Sequence, residues 1–198
     1  ALIKLQDEPG CDFGKHIIPY IHERGDKVFA YEYNGYWKDV GTLQSYWEAN
    51  MELIDIVPEF NLYEEYWKIF TKTDIIPPHY VASTAHIEKS IISEGSEIYG
   101  EVTGSIIGAG VLIEEGAVVR DSIVMRDCHI GRNTKLYKTI VAEHTTIGEN
   151  CEVGIGDYAE SEYDRKVYNS ELVIIGEKSV IPGNIRIGKN AAIMGETI

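Results

Sequence analysis

Aliphatic residues recur every six positions near the end of the chain, and this period limits the possible fold more than any other feature. Isoleucine opens four successive hexads, at Ile175, Ile181, Ile187 and Ile193. The same period returns upstream in three groups of three: Ile107, Ile113 and Val119; Val124, Ile130 and Leu136; and Val141, Ile147 and Val153. Hexapeptide self-similarity of this kind is typical of a parallel β-helix.

The hexads come in threes because the steps from Val119 to Val124 and from Leu136 to Val141 are five residues long instead of six. This resetting predicts three short strands and three corners in each coil, with the coils stacked at the inter-strand spacing of about 4.8 Å. We expect the following hexad-opening residues to point inward: Ile107, Ile113, Val124, Ile130, Ile147, Ile175, Ile181 and Ile187.

The cysteines of the chain are not arranged as metal ligands or as a disulfide framework. There are three, Cys11, Cys128 and Cys151, and their spacing matches neither pattern. Cys128 and Cys151 both occupy the fifth place of a hexad, which Ala117 and Ser179 hold elsewhere. A free cysteine behaves as a small buried hydrophobe, so we expect both to pack inside the coils.

The composition excludes some partners. The chain of 198 residues carries a formal net charge of -14, which would repel nucleic acid and anionic membranes. A phosphorylated metabolite would need only a local cluster of donors. No apolar run approaches the ~20 residues of a membrane helix, and no signal peptide opens the chain, so we expect a cytoplasmic protein.

The hexads begin only after a different first segment. Residues 1–57 contain strand-like and helical patterns but too little apolar surface for a core of their own, and they are typical of the end of a larger α/β domain. Residues 58–80 form a linker whose aromatic side chains are expected to pack a domain junction. Residues 81–198 form the β-helix, interrupted by a polar loop insertion at 157–171.

Several elements are predicted inside the first segment. The runs 28–33 and 36–40 favour two strands around the Asn34-Gly35 turn. Asp12 is a suitable N-cap for a short helix that Pro19 is expected to limit, and Thr42 is a suitable cap for the next helix.

Two motifs in this segment carry a family resemblance. They are Asp12-Phe13-Gly14-Lys15 and Gly35-Tyr36-Trp37-Lys38-Asp39-Val40-Gly41-Thr42, and they are followed by Pro77-Pro78 and the hexads. Together they resemble the C-terminal portion of the glucose-1-phosphate adenylyltransferase family (ADP-glucose pyrophosphorylase). The resemblance covers essentially the whole chain. It implies a mainly β protein, in which a left-handed parallel β-helix follows the C-terminal remnant of an α/β nucleotidyltransferase domain.

The resemblance also implies a reaction and its residues. The family transfers AMP from ATP to glucose 1-phosphate, giving ADP-glucose and pyrophosphate for glycogen or starch synthesis, with Mg²⁺ as the cofactor. On this basis Asp39 is the catalytic metal-site carboxylate, whereas Asp12 and Lys38 are substrate-binding residues. A hard cation takes carboxylate oxygens as ligands, which fits Asp39.

Regulation is implied in the same way. The family is tetrameric and responds to phosphorylated effectors near the junction of its two domains, with the β-helix serving oligomerisation and allostery. Lys72, Arg126 and Arg132 are the candidate effector contacts here.

Two other functions stay open at the level of sequence. The family's Gly-rich phosphate loop and its substrate-binding lysine segment are absent, so we expect no activity from this chain alone, and a non-catalytic regulatory subunit is an alternative. A hexapeptide-repeat acyltransferase is a second alternative, in which His129 or His144 would be the base.

Overall fold

Short parallel strands make up most of this chain from residue 80 onward. The computed structural model describes residues 12–68, 70, 75–158 and 170–193. In chain order the strands are β1 (Tyr80–Val81), β2 (His86–Glu88), β3 (Ile91–Ile92), β4 (Glu97–Ile98), β5 (Glu101–Thr103), β6 (Ile106–Ile107), β7 (Leu112–Ile113), β8 (Val118–Arg120), β9 (Ile123–Val124), β10 (His129–Ile130), β11 (Lys135–Tyr137), β12 (Thr139–Val141), β13 (Thr146–Ile147), β14 (Glu152–Tyr158), β15 (Val173–Ile175), β16 (Val180–Ile181), β17 (Arg186–Lys189) and β18 (Ala192–Ile193).

Every third strand joins the same sheet. The first sheet has the order β1-β4-β7-β10-β13-β16, the second β2-β5-β8-β11-β14-β17, and the third β3-β6-β9-β12-β15-β18. All pairings between neighbouring strands are parallel. The three-sided parallel β-helix predicted from the hexads is therefore confirmed.

The inside of this β-helix is a column of aliphatic side chains. All eight residues that were predicted to point inward are buried, seven of them at most 1% exposed and Ile187 8% exposed. The strand register places identical side chains above one another in successive coils. Ile113 pairs with Ile130, Ile130 with Ile147, and Ile147 with Ile181. The hexad period thus translates directly into a continuous core.

Cys128 and Cys151 lie in the same core, as predicted, and both are fully buried. Burial raises the pKa of the Cys128 thiol to about 11, because the thiolate would lose its hydration. At neutral pH the nucleophilic form is therefore scarcely populated, which supports a packing role for this cysteine.

A ladder of hydroxyl groups, buried from Ser105 onward, follows one corner from coil to coil. The backbone N–H of Ser105 donates to the hydroxyl of Ser90, that of Ser122 to Ser105, and that of Thr139 to Ser122, each at 3.1 Å. These contacts span 15 or 17 residues, which is the length of one coil. They satisfy corner amides that the short strands leave unpaired.

The third sheet differs from the other two because its outer face is also apolar. Its outward residues stack in register as Ile91, Ile106, Ile123, Ile140, Ile174 and Ala192. Helix α2 (Leu43–Glu52) covers the middle of this column. Tyr46, Trp47 and Met51 pack there against the buried Ile123 and Ile140. One face of the β-helix therefore serves as a platform for α2.

The first segment contains fewer strands than the sequence predicts. A π-helical turn (Phe13–Ile17) leads into α1 (Ile18–Glu23), whereas the runs 28–33 and 36–40 form no strand. Both strand predictions are wrong for this chain. A strand requires a hydrogen-bonded partner, and none of the described residues supplies one.

Pro19 does not limit the helix in the expected way. It lies in the first turn of α1, where a proline removes no hydrogen bond, and the helix continues to Glu23.

The chain divides into two compact units, residues 1–36 and 37–198. The domain boundaries at 57 and 80 stay predictions, as does the insertion at 157–171, of which residues 159–169 lie outside the described part. In the linker, Tyr63, Tyr66, Trp67 and Phe70 are exposed, so the junction packing expected of them is not fulfilled within this chain.

No helix in the described ranges is long and apolar enough to cross a membrane.

The core predicts the effect of a charge at Ile181. Replacing Ile181 by Asp places an unpaired carboxylate in the apolar column and should lower the melting temperature by about 10 °C or more. Val180→Asp is the matched control, because Val180 is the preceding residue of β16 but points outward and is 44% exposed. Equal melting temperatures for the two variants, measured by circular dichroism, would contradict the inward register.

Candidate functional site

Asp39 lies on an exposed stretch of backbone directly before α2. Its Oδ1 accepts a hydrogen bond from the backbone N–H of Gly41 at 3.0 Å. A Cβ at Gly41 would lie 3.2 Å from that oxygen, so glycine is what allows the carboxylate to fold back onto the amide. Asp39 thereby has a fixed orientation although it is exposed to solvent.

Thr42 starts α2 through a reciprocal cap. Its hydroxyl accepts from the backbone N–H of Ser45 at 3.1 Å, and the Ser45 hydroxyl accepts from the Thr42 backbone N–H at 3.1 Å. The predicted cap is confirmed. It fixes the direction in which the backbone leaves the Asp39 turn and enters the helix.

Lys38 extends toward α2. Its ammonium group donates a hydrogen bond to Glu52 and lies 3.8 Å from Oε2 of Glu48. The two carboxylates are one helical turn apart on the same face of α2. Sequence reasoning missed both of them, although their spacing of four residues within the predicted helix was a usable signal.

Trp47 anchors α2 to the β-helix. Its indole Nε1 donates to the backbone oxygen of Asp121 at 2.8 Å, and the ammonium group of Lys138 lies 5.8 Å from the ring centroid. The sequence offered a signal for this packing, since an isoleucine directly precedes the opening residues Val124 and Val141 of two hexads, giving the doublets Ile123-Val124 and Ile140-Val141. One member of each doublet faces inward and the other faces α2.

Asp12 belongs to the other compact unit, residues 1–36. Its Oδ1 accepts from the backbone N–H of Lys15 at 2.7 Å, which confirms the predicted N-cap. The same hydrogen bond lowers the pKa of Asp12. The carboxylate is exposed and has a second oxygen that could meet a ligand.

Of the candidate effector residues, the structure describes Arg126 and Arg132, and each pairs with a different carboxylate. Lys72 lies outside the described residues. Arg126 pairs with Asp127 at 3.2 Å, and Arg132 pairs with Glu115 at 2.7 Å. The two arginines flank opposite ends of β10, and each already lies beside a carboxylate. Their role in effector binding stays a prediction.

Glu171 joins the two described ends of the predicted insertion. It accepts a hydrogen bond from the Tyr158 hydroxyl at 2.8 Å and pairs with Lys138 at 3.0 Å and Lys189 at 3.5 Å. The Tyr158 hydrogen bond, followed by the Lys138 contacts, lowers the pKa of Glu171 to about 2. Since Lys138 also lies beside the Trp47 ring, this network connects the predicted insertion to the place where α2 packs on the β-helix.

The two histidines considered for acyl transfer are both paired on the outer surface. His129 Nε2 lies 3.0 Å from Oε1 of Glu114, and His144 Nδ1 lies 3.6 Å from Oδ2 of Asp127. Each histidine side chain is more than 40% exposed.

Asp39 fits a magnesium ion as a single ligand. Mg²⁺ in nucleotide sites is held by one or two carboxylates together with substrate phosphates, and an exposed, oriented carboxylate can supply one such oxygen. Across the described ranges, no three His, Cys, Asp or Glu side chains group as a metal site would require. The remaining ligands would have to come from substrate or from other protein segments.

Comparison with known proteins shows that the chain is similar to two family models and to several curated enzymes of one name. Residues 78–175 match the family model described as GlmU-like, C-terminal hexapeptide, and residues 3–56 match the nucleotidyl transferase model. The chain is 65% identical over its full length to glucose-1-phosphate adenylyltransferase of Lachnospira eligens. It is 47% identical over 94% of its length to the enzyme of that name from Acetivibrio thermocellus, and 46% identical over 94% to that from Fervidobacterium nodosum.

The chain spans about half the length of these curated relatives, covering 47%, 44% and 45% of them. The predicted resemblance to the C-terminal portion of glucose-1-phosphate adenylyltransferases is confirmed.

The Glu171 network predicts a pH-dependent stability. The folded-state pKa of about 2 lies below the ordinary value of 4.5, so the network stabilises the fold fully above about pH 5 and loses its effect as the pH falls toward 2. Glu171→Gln should therefore lower the melting temperature at pH 7 and do so by a smaller amount at pH 3. Glu94→Gln, at an exposed carboxylate on another coil, is the control. A Glu171→Gln deficit that is the same at both pH values would contradict the network.

Proposed function

We propose that this chain, which is similar over its whole length to the C-terminal portion of glucose-1-phosphate adenylyltransferases, is that portion of such an enzyme. The complete enzyme would transfer AMP from ATP to glucose 1-phosphate, releasing pyrophosphate and giving ADP-glucose for glycogen or starch synthesis. The observation that carries the proposal is the 65% identity over the full chain, which includes the Asp39 segment and the β-helix.

The chemistry requires an oxygen of the sugar phosphate to attack the α-phosphorus of ATP while the bond to pyrophosphate breaks. Both reactants are polyanions, and a bound Mg²⁺ would neutralise charge on them. Asp39 would hold that ion through its exposed carboxylate, while the Gly41 amide keeps the carboxylate oriented. Preorganised charge of this kind stabilises a transition state without reorganisation during the reaction.

Asp12 is proposed to contact the sugar part of glucose 1-phosphate. A carboxylate would repel the phosphate group but accepts hydrogen bonds from sugar hydroxyls. The cap to Lys15 uses one oxygen and holds the side chain in place, so the two functions are compatible. A contact that is equally strong in the ground state and in the transition state affects KM more than kcat.

The β-helix is proposed to serve tetramer assembly and regulation by phosphorylated effectors in the cytoplasm. The charge distribution supports a selective anion site: with a net charge of -14, only local cations such as Lys72, Arg126 and Arg132 would attract a phosphate. The ion pairs of Arg126 and Arg132 are solvent-exposed and individually weak, so an anion would compete with their carboxylates at little cost.

Steady-state kinetics of two variants test the proposed roles in the complete enzyme. Asp39→Asn keeps the shape but removes the charge, and we expect kcat to fall on the order of 100-fold or more with little change in KM for glucose 1-phosphate. Asp12→Asn should chiefly raise KM for glucose 1-phosphate.

ADP-glucose formation at saturating Mg²⁺ is the measurement, and this chain alone is expected to show none. Near-normal kcat for Asp39→Asn would remove Asp39 from the metal site and favour a regulatory subunit.

A further inference from the structure

Lys38 and Asp39 are consecutive residues with opposite surroundings. Asp39 is exposed and accepts a hydrogen bond from its own turn, whereas the Lys38 ammonium group lies among the carboxylates of α2 and its side chain is 23% exposed. Their Cα atoms are about 3.8 Å apart across one peptide bond, so a constraint on the lysine is also a constraint on the aspartate.

The helix that receives Lys38 is itself held by the β-helix. Trp47 directly precedes Glu48 in α2. Its indole Nε1 donates a hydrogen bond to the Asp121 backbone oxygen. Trp47 also packs against the cluster that contains the buried side chains of Ile123 and Ile140. A rigid sequence of contacts therefore runs from the β-helix through α2 to Lys38.

The corner that holds Trp47 has the backbone conformation of the other corners. Asp121 and Lys138 stand at consecutive coils of one corner with φ values of 48° and 44°, and other non-glycine residues of the described coils, such as Asn133, have positive φ values as well. The Asp121 carbonyl that holds α2 therefore belongs to the regular framework of the β-helix.

We propose that Lys38 is a positioning residue, which acts through Glu52 and Glu48 to hold Asp39 in place relative to the β-helix. This inference rests on the proposed function of Asp39 and gives Lys38 another role than direct contact with substrate. It also makes the β-helix part of the scaffold of the active site. A displacement of about 1 Å in a catalytic group can reduce a rate on the order of 100-fold, although an ion pair of this kind adds little to global stability.

A double-mutant cycle in the complete enzyme tests the pair. Lys38→Met and Glu52→Gln each remove one charge, and each should lower kcat about 10-fold while KM for glucose 1-phosphate changes less than about 2-fold. The double variant should be no worse than the poorer single variant, because both changes break the same interaction. Lys38→Arg should recover most of the lost kcat.

An exposed ion pair outside the Lys38 cluster provides the control. Lys178 and Glu177 are adjacent on another coil, with the lysine side chain 71% exposed. Lys178→Met and Glu177→Gln should leave kcat unchanged.

Hydrogen exchange gives a readout that is independent of turnover. The Gly41 amide, which donates to Asp39, should exchange about 5-fold faster or more in Lys38→Met and in Glu52→Gln, whereas amides inside α2 keep their wild-type rates. Mass spectrometry of peptides covering residues 37–42 and 43–52 measures both.

The outcomes separate the two proposals. If Lys38 contacts substrate, Lys38→Met raises KM, Glu52→Gln has no effect, and Gly41 exchange is unchanged, which overturns the positioning role. If the wild-type enzyme forms no ADP-glucose but Gly41 exchange responds to both variants, the proposed function fails while the structural coupling holds.

Discussion

Hydrogen bonds between consecutive coils are the interaction on which the rest of this structure depends. A strand of two or three residues has no stability alone, so each one forms only because the same segment of the next coil lies against it. The contact from the Thr146 backbone N–H to the Ser179 oxygen, at 2.9 Å, bridges the predicted insertion, because the two coils that it joins lie on either side of it. The buried hydroxyl ladder extends the same principle to a corner. Stability is consequently distributed along the axis, and one misplaced inward side chain disturbs its neighbours on both sides.

The inner faces of all three sheets are apolar, but their outer faces differ in polarity. This difference links the fold to the candidate site. The second sheet carries charged pairs such as Arg120 with Glu101 at 2.7 Å. The third sheet carries isoleucines, and burying these requires another apolar element. Helix α2 meets that requirement with Tyr46, Trp47 and Met51. Because the Asp39 turn leads directly into α2, the position of the proposed metal carboxylate is set by where the β-helix receives this helix.

Charge is arranged locally in a chain whose overall balance is strongly acidic. Lys38 lies beside Glu48 and Glu52, and Lys138 lies beside Glu171 and the Trp47 ring. Lys38 therefore ties the Asp39 turn to the helix that follows it, whereas Lys138 connects elements that are distant in sequence. The same arrangement leaves Asp39 exposed, as a carboxylate must be if it is to share a cation with a nucleotide.

The sequence by itself determined the β-helix, its inward register, the burial of Cys128 and the cap at Thr42, because each follows from a local period or a local hydrogen bond. It also predicted the resemblance to glucose-1-phosphate adenylyltransferases, through the motifs around Asp12 and Asp39, although the roles of those residues stay predictions. It failed at 28–33, where apolar alternation favours a strand but no pairing partner is present. Only the tertiary structure placed Lys38 on Glu52 and Trp47 on the Asp121 carbonyl, which lies 74 residues away in the chain. Such contacts depend on which outer face a helix meets, and no short period in the sequence encodes that choice.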